Sequence, residues 1–358
     1  MRRLLVTGGA GFIGTNFVRS WCARHPDDLV TVLDALTYAG NRANLDDLIA
    51  ASRITFIEGD ICDGALVERL LSEQSLDTIV HFAAESHVDR SITGPAAFVR
   101  TNVVGTETLL SAAKQAWLGS GRRKPHRFHH ISTDEVFGAL GPSDPAFTED
   151  TPYMPNSPYA ASKAAADHLV RAYHRTYGLE VTTTNCSNNF GPYQFPEKLI
   201  PLCLIKALDG QPLPVYGDGQ QIRDWLHVEE HCRGIELVLE KGMVGETYNI
   251  GAHCERVNLE LVRSLCATLD KFFGADPGLR ERFPNAPPSR DAATAELITF
   301  VTDRPGHDRR YAVDSRKIRR DLGFRDRMPH EEALERTIRW YLDHEPWWRA
   351  ALARAKHA

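Results

Sequence analysis

Two short stretches hold the side chains with the most chemical content. Thr133-Asp134-Glu135 puts a hydroxyl beside two carboxyls, and Tyr159 precedes Lys163 by four positions. Residues four apart share one helix face. A tyrosine and lysine so placed, with a Ser or Thr hydroxyl nearby, can draw the proton from an alcohol while a nicotinamide oxidises its carbon. Free tyrosine titrates near 10, so acting as a base near neutrality requires favouring the phenolate by roughly 4 kcal/mol. One cation about 5 Å away contributes about 3 kcal/mol at an effective dielectric near 20. Lys163 and a positively charged nicotinamide therefore suffice together. Alcohol oxidation needs neither Asp134 nor Glu135. An acid and a base beside an oxidised carbon point to an elimination that follows the oxidation. Which of the two carboxyls is acid and which is base, the residues alone leave open.

These groups need rigid supports. Ser157-Pro158 is a helix start, with Ser as the cap and Pro at the first position, so Tyr159 and Lys163 fall on the first turns of a helix. Thr133 ends a strand, directly after the fifth of six short apolar runs: Leu4–Thr7, Leu29–Leu33, Ile54–Glu58, Thr78–Phe82, Phe128–Ser132 and Val181–Asn185. Helical spacing separates most of them, as in Phe12–His25 and Ala96–Gln115. Alternation of this kind predicts an α/β fold: a doubly wound parallel sheet of Rossmann type, covered on both faces. After about residue 190 prolines and turns become frequent, Gly274–Ala295 has the composition of a loop, and helical patterns return at Leu259–Phe273, Ser315–Leu322 and His330–Glu345. The expected organisation is a dinucleotide half over residues 1–190, which also carries the reactive groups. A smaller α/β substrate lobe follows over 191–358, with the chain free to cross back.

Gly8, Gly11 and Gly14 lie in Thr7-Gly8-Gly9-Ala10-Gly11-Phe12-Ile13-Gly14, directly after one strand and opening a helix. Glycine permits the tight turn and lets backbone N–H groups approach a pyrophosphate at the positive helix end. Asp34, at the end of the next strand, stands where an acid holds a ribose 2′-hydroxyl and repels a 2′-phosphate, which favours NAD over NADP. Asp60-Ile61 and Ala83-Ala84-Glu85-Ser86 follow the third and fourth strands. There they can meet the adenine and the middle of the cofactor.

The net charge of −5 leaves no basic footprint for nucleic acid. Seven scattered cysteines, odd in number and without a C-x-x-C, fit a reducing compartment and no structural zinc. His129-His130 is no metal site either, because adjacent strand residues face opposite ways. The apolar N-terminal run is broken at Thr7-Gly8-Gly9, too early for a secretion signal, and no run has membrane-spanning length. A cytoplasmic protein without a membrane partner is expected.

The order of these elements resembles the extended short-chain dehydrogenase/reductase superfamily over nearly the whole chain. Longer strings narrow it. Ser132-Thr133-Asp134-Glu135-Val136-Phe137-Gly138, Ala84-Glu85-Ser86-His87-Val88-Asp89-Arg90-Ser91, Asn185-Cys186-Ser187-Asn188-Asn189-Phe190-Gly191-Pro192 and Asp303-Arg304-Pro305-Gly306-His307-Asp308-Arg309-Arg310-Tyr311 resemble the dTDP-glucose 4,6-dehydratase family. Phe137 and Phe190 stand where that family usually has Tyr, and Leu118–Lys124 is a longer segment than usual, expected as a surface loop.

The resemblance implies a sugar 4-OH deprotonated by Tyr159, with Asp134 as acid and Glu135 as base in the loss of water across C5 and C6. It implies cofactor contacts from Leu36, Thr37, Thr101 and Asn189. On the substrate side it implies Ser86, His87 and Thr133 near the sugar, and Asn188, Arg223, Asn258, Arg304, His307 and Tyr311 around the diphosphate and ribose. Glu197, Lys198, Leu199, Pro214 and Tyr216 match positions around the nucleotide. It also implies a homodimer, formed through the Ala-rich helix after Tyr159 and the long helix before it. A UDP- or CDP-glucose dehydratase is a neighbouring reading. A 4-epimerase needs no acid–base pair, and an NAD-binding scaffold needs no intact Thr133, Tyr159 and Lys163.

Overall fold

Runs apolar on both faces, such as Leu4-Leu5-Val6 and Ile79-Val80, are stable only inside a sheet covered on two sides, and these five side chains are fully buried. The computed structural model describes residues 1–119, 125–303 and 305–355. Its strands are β1 (Arg3–Thr7), β2 (Leu29–Asp34), β3 (Ile54–Glu58), β4 (Thr78–His81), β5 (Arg127–Thr133), β6 (Val181–Cys186), β7 (Asn188–Phe190), β8 (Leu213–Tyr216), β9 (Ile222–His227), β10 (Thr247–Ile250), β11 (Glu255–Val257) and β12 (Ile298–Val301). Seven of them form one sheet in the order β10-β6-β5-β4-β1-β2-β3. Every neighbouring pair in it is parallel.

The strand order reverses beside β1, and in open α/β sheets the crevice at such a point receives the ligand. Register sets the carboxyl ends level: Thr7 pairs with Leu33 and with His81, and Thr133 with Cys186. Helix Phe12–Arg24 covers one face, burying Phe17, Val18 and Trp21. Helices Gly64–Glu73 and Thr106–Leu118 cover the other with Leu70, Leu71, Leu110 and Trp117. Each such side chain contributes about 1.5–3 kcal/mol when fully buried.

The last strand of the sheet lies beyond residue 190. β10 pairs with β6, and Leu226, Val228, Ile235 and Val238 enter the same core as Leu4, Val6 and Phe17. A boundary at 190 therefore cuts through the core of the sheet. The remaining lobe has a three-stranded sheet, β11-β9-β7, a parallel pair β12-β8, and helices Leu199–Leu208, Asn258–Ala275, His330–Asp343 and Glu345–Ala355 around Phe273, Phe283, Tyr341 and Trp348.

Two sequence expectations are corrected here. Gly274–Ala295 is not merely a loop: it holds a short helix, Gly278–Arg282, because Leu279 and Phe283 are spaced to enter the lobe core together. Ala96–Gln115 is not a uniform helix: residues Val99–Gly105 form a π-helical segment within it. Residues 120–124, where a surface loop was expected, lie outside the described residues. Among the described residues no helix is long and apolar enough to cross a membrane.

Candidate active site

β1 turns into helix Phe12–Arg24 through Gly8, which has φ +70° and whose added Cβ would sit 2.5 Å from the Ala83 backbone nitrogen. A Cβ on Gly14 would lie 2.2 Å from the Gly8 carbonyl oxygen. Strand, turn and helix can approach this closely only with glycine at both positions. A Cβ on Gly11 would meet just the Gly8 oxygen, at 3.3 Å, and would otherwise stand in the cavity that Gly11 lines. The first helical N–H groups, unsatisfied in any helix, face that space.

The cavity, about 500 Å³, runs from this turn across the carboxyl ends of the strands to the second lobe. Phe12, Ile13, Asp34, Thr37, Asp60, Ile61, Ala83, Ala84, Ser86, His87, Thr101 and Asn189 line it with the glycines. Asp34 accepts the Ala10 and Leu36 N–H groups at 2.9 and 2.8 Å, and burial raises its pKa. Leu36 itself lies off the cavity wall; at φ +49° it turns the chain so that its N–H meets Asp34. Asp60 caps no helix: Asp63 does that, and Asp60 accepts from Cys62 N–H at 2.9 Å.

The π-helical segment has a local purpose. It places Asn102 against the β4 exit loop, where Asn102 accepts the Glu85 N–H at 2.9 Å and donates to the Glu85 carbonyl at 3.0 Å and to Ser162 Oγ at 2.8 Å. Ser162 belongs to the helix that carries Tyr159 and Lys163.

That helix, Pro158–Tyr177, starts as the sequence predicts, with Ser157 Oγ accepting the Ala160 N–H at 3.1 Å. Thr133, Asp134, Glu135, Tyr159 and Lys163 converge on one wall of the cavity. β5 delivers the first three on a 3₁₀ turn, Asp134–Phe137, in which Thr133 Oγ1 accepts the Glu135 N–H at 3.3 Å and donates to Asp134 Oδ1 at 3.2 Å. Asp134 Oδ2 is buried without a hydrogen-bond partner among the described residues, as are Asn188 Oδ1 and Asn258 Oδ1. All three residues line the cavity, and buried polar atoms of this kind call for a polar ligand.

The electrostatics divide the two carboxyls. Burial, reinforced by Glu135, pushes Asp134 up to about 8, so it holds its proton at neutrality. Tyr159 also stands well above the ordinary phenol value, through burial and then Glu135. Lys163 gives its ammonium to the Ile131 carbonyl at 2.7 Å, and burial lowers its pKa. Burial and Glu135 both disfavour the Tyr159 phenolate, and it is this that positive charge at the site must offset. His129 and His130 do face opposite ways, bonding Thr182 Oγ1 at 2.9 Å and Asp167 Oδ1 at 3.0 Å.

On the far wall stand Glu197, Lys198, Leu199, Pro214, Tyr216, Arg223, Asn258 and His307. Lys198 Nζ donates to the Ser86 carbonyl at 3.0 Å. Glu197 accepts from the Tyr38 hydroxyl at 3.0 Å and lies 3.5 Å from His87 Nε2. Arg223 donates to the carbonyls of Ile222 and Asp308 at 2.7 and 2.9 Å and lies over the Tyr311 ring at 4.3 Å. Tyr311 is therefore a support behind Arg223, donating to Asp308, and is off the cavity wall. Arg304 lies outside the described residues. Sequence reasoning passed over Tyr38, whose ring carries Arg90 at 3.8 Å, and over Asp167. One further step of four from Tyr159 and Lys163 would have found Asp167.

The sequence profile described as GDP-mannose 4,6 dehydratase matches residues 5–337. The dTDP-glucose 4,6-dehydratase of Neisseria meningitidis serogroup B is 53% identical over 354 residues, which span 98% of this chain and 96% of that protein. The crystal structure of DesIV, a dTDP-glucose 4,6-dehydratase from Streptomyces venezuelae solved with NAD bound, superimposes with a TM-score of 0.85 at 50% identity, covering 98% of this chain and 99% of that one. A UDP-glucose 4-epimerase from Thermotoga maritima shares the fold at 26% identity and a TM-score of 0.78, covering 95% of this chain and 99% of that one.

Proposed function

The chain belongs to the dTDP-glucose 4,6-dehydratase family and is an NAD-dependent hydro-lyase that converts dTDP-glucose to its 4-keto-6-deoxy product, and we propose that Thr133, Asp134, Glu135, Tyr159 and Lys163 perform the chemistry. The glycine turn, the helix end behind it and Asp34 fit a dinucleotide. Bound there, NAD supplies an acceptor for the hydrogen and electron pair of C4, which come back to the sugar at C6.

Tyr159 takes the proton of the sugar 4-OH, with the Thr133 hydroxyl sharing that oxygen and Lys163 placing positive charge beneath it. Once C4 is a ketone, the C5 hydrogen is acidic, and Glu135 removes it. Asp134 protonates the departing 6-OH, so water leaves across C5 and C6. Glu135 returns a proton to C5 as C6 becomes a methyl group. The cycle uses one acid and one base side by side, which is the division of paired carboxyls in a closed site.

One observation carries this assignment. Asp134 is 2% exposed, lines the cavity, and holds its proton up to about pH 8 directly beside Glu135. Arg223, Asn188, Asn258 and His307 are the proposed holders of the diphosphate and ribose. Arg is suited to phosphate by its fixed fork of donors.

The proposal extends to a cytoplasmic homodimer. Val99 and Val104 are 53% and 49% exposed on the helical stretch before β5, next to the Ala-rich helix, and such a pair supports association through that face. The free cysteines fit a reducing compartment.

The test is incubation of purified protein with dTDP-glucose or UDP-glucose, without added NAD, followed by assay of keto sugar by its absorbance in base. Turnover of dTDP-glucose is expected, with deuterium from C4 recovered at C6. Failure with every nucleotide-glucose removes the assignment.

A further inference from the structure

Helix Pro158–Tyr177 repeats the spacing of its two reactive residues once more. Tyr159, Lys163 and Asp167 stand at i, i+4 and i+8, on one face, and are 9%, 4% and 5% exposed. Asp167 accepts three hydrogen bonds, from His130 Nε2 at 3.0 Å, Ser132 Oγ at 2.7 Å and the Tyr153 hydroxyl at 2.9 Å. A carboxylate can only accept, so the His130 proton is on Nε2. His130 Nδ1 is buried without a partner among the described residues, and burial favours the neutral ring.

We propose that Asp167 is a positioning residue for the dehydration, joining the strand that delivers the two acids to the helix that delivers Tyr159 and Lys163 and acting as counter-ion to the buried Lys163 ammonium.

The inference rests on the roles given above to those four residues. Its geometric half follows the chain. From His130 and Ser132, β5 runs directly into Thr133-Asp134-Glu135. Tyr153 sits in the segment that leads to the Ser157 cap, and its ring packs edge-on against Phe137, at the end of the acid-bearing turn, with centroids 5.2 Å apart. One carboxylate thus ties together three pieces of chain that must keep a fixed spacing if a proton is to leave O4 and another to leave C5 on the same sugar. A misplacement of about 1 Å can cost about a hundredfold in rate.

The electrostatic half concerns Lys163. The groups that act on it are Asp167 on its own helix, Cys186 at the end of β6, and His81 and His130 on β4 and β5. Burial disfavours charge on both histidines and raises the Cys186 thiol. The Ile131 carbonyl offers Lys163 a dipole but no charge. Among these described neighbours Asp167 is the one carboxylate, and it raises the Lys163 pKa against the lowering caused by burial. Loss of that anion makes Lys163 give up its proton at lower pH.

The test compares Asp167→Asn, Asp167→Glu, Ser132→Ala and Tyr153→Phe with the unaltered protein, each purified with its NAD and given dTDP-glucose. Cofactor reduction in a single turnover is followed by stopped flow across pH, because that step uses Tyr159 and Lys163 but not the Asp134 proton. Steady-state KM and thermal unfolding are measured alongside. For Asp167→Asn the rate of reduction falls roughly tenfold to a hundredfold, KM stays within about twofold, and the alkaline limb of the reduction profile moves to lower pH. Asp167→Glu keeps the limb in place while the rate remains lowered. Ser132→Ala and Tyr153→Phe also leave the limb in place and slow the reaction several-fold.

An unmoved limb in Asp167→Asn, with a rate loss no larger than its loss of folded protein, overturns the proposal. Should Asp167→Asn fail to fold, unaltered rates in both Ser132→Ala and Tyr153→Phe overturn it. Absence of turnover by the unaltered protein overturns the dehydratase assignment itself and this role with it. Turnover with an indifferent Asp167→Asn overturns the role of Asp167 alone.

Discussion

Replacing Asp134 by Asn removes its proton and keeps its shape, and the structure sets the size of two effects. Burial and Glu135 move this carboxyl from its ordinary 3.8 to about 8. At 1.36 kcal/mol per pH unit, the folded protein disfavours the ionised form by roughly 6 kcal/mol. Between about pH 4 and about pH 8 the folded state therefore keeps a proton that the unfolded chain has lost. Stability falls as pH rises through that window and levels off above it. Asn has nothing to lose there. Its oxygen can still accept from Thr133 Oγ1, and its amide faces the cavity. The variant should match the parent near pH 4 and exceed it by several kcal/mol near pH 8, read as the difference between urea unfolding curves at a series of pH values.

The kinetic effect has the opposite sign. Without a proton donor for the 6-OH, product formation falls by about 10²–10⁴-fold, while cofactor reduction by dTDP-glucose continues and the reduced form accumulates. In the unaltered protein, kcat declines as pH rises past about 8. Stability curves of parent and variant that stay parallel from about pH 5 to about pH 9 would refute the protonated Asp134. Normal product formation by the variant would refute its role as acid.

Three further outcomes are expected. Glu135→Gln abolishes solvent deuterium uptake at C5 while cofactor reduction survives; unchanged uptake would show that another group is the base. Gly14→Ala drives a Cβ to within 2.2 Å of the Gly8 oxygen, so the protein should purify without NAD and lose about 1–3 kcal/mol of stability; full NAD content would show that the turn relaxes at little cost. Tyr38→Phe removes the bond to Glu197 that joins the loop after β2 to the substrate wall. A hydrogen bond to a charged group contributes about 1.5–3 kcal/mol, so NAD should dissociate roughly tenfold faster while kcat at saturating NAD is kept, as read by trapping the released dinucleotide.

The sequence disclosed what depends on near neighbours. Gly8 and Gly14, Ser157-Pro158, and the Tyr159–Lys163 step each act within a few residues of themselves, and each stands where its spacing predicts. The short apolar strands were equally legible, because a run buried on both faces leaves few alternatives. What stayed hidden is decided far along the chain. Thr247–Ile250 is four residues long, and only its pairing with β6 makes it part of the large sheet. Leu279 and Phe283 lie in a stretch whose Pro, Ala and charge content masks their common burial. Asp167 gathers donors from 14 to 37 residues away, so its importance is a property of the folded contact rather than of the local string. Tyr38 and Glu197, 159 positions apart, meet for the same reason. The two carboxyls were recognisable as a pair; their division into acid and base came only from the family resemblance, and the burial that raises Asp134 belongs to the folded surroundings.

The late arrival of β10 has a consequence for how the protein is made. A nascent chain that has emerged only as far as β7 already contains the glycine turn and all five reactive residues, yet the outer rim of β6 has no partner strand and one face of the sheet lacks the cover of Val228–Lys241. Such a half-made molecule exposes backbone donors and acceptors that other chains can pair with. The β6 rim is therefore protected only once Thr247–Ile250 has emerged and paired with it. Fragments ending before residue 250, whether from premature termination or proteolysis, should be recovered as insoluble material rather than as small dinucleotide-binding modules.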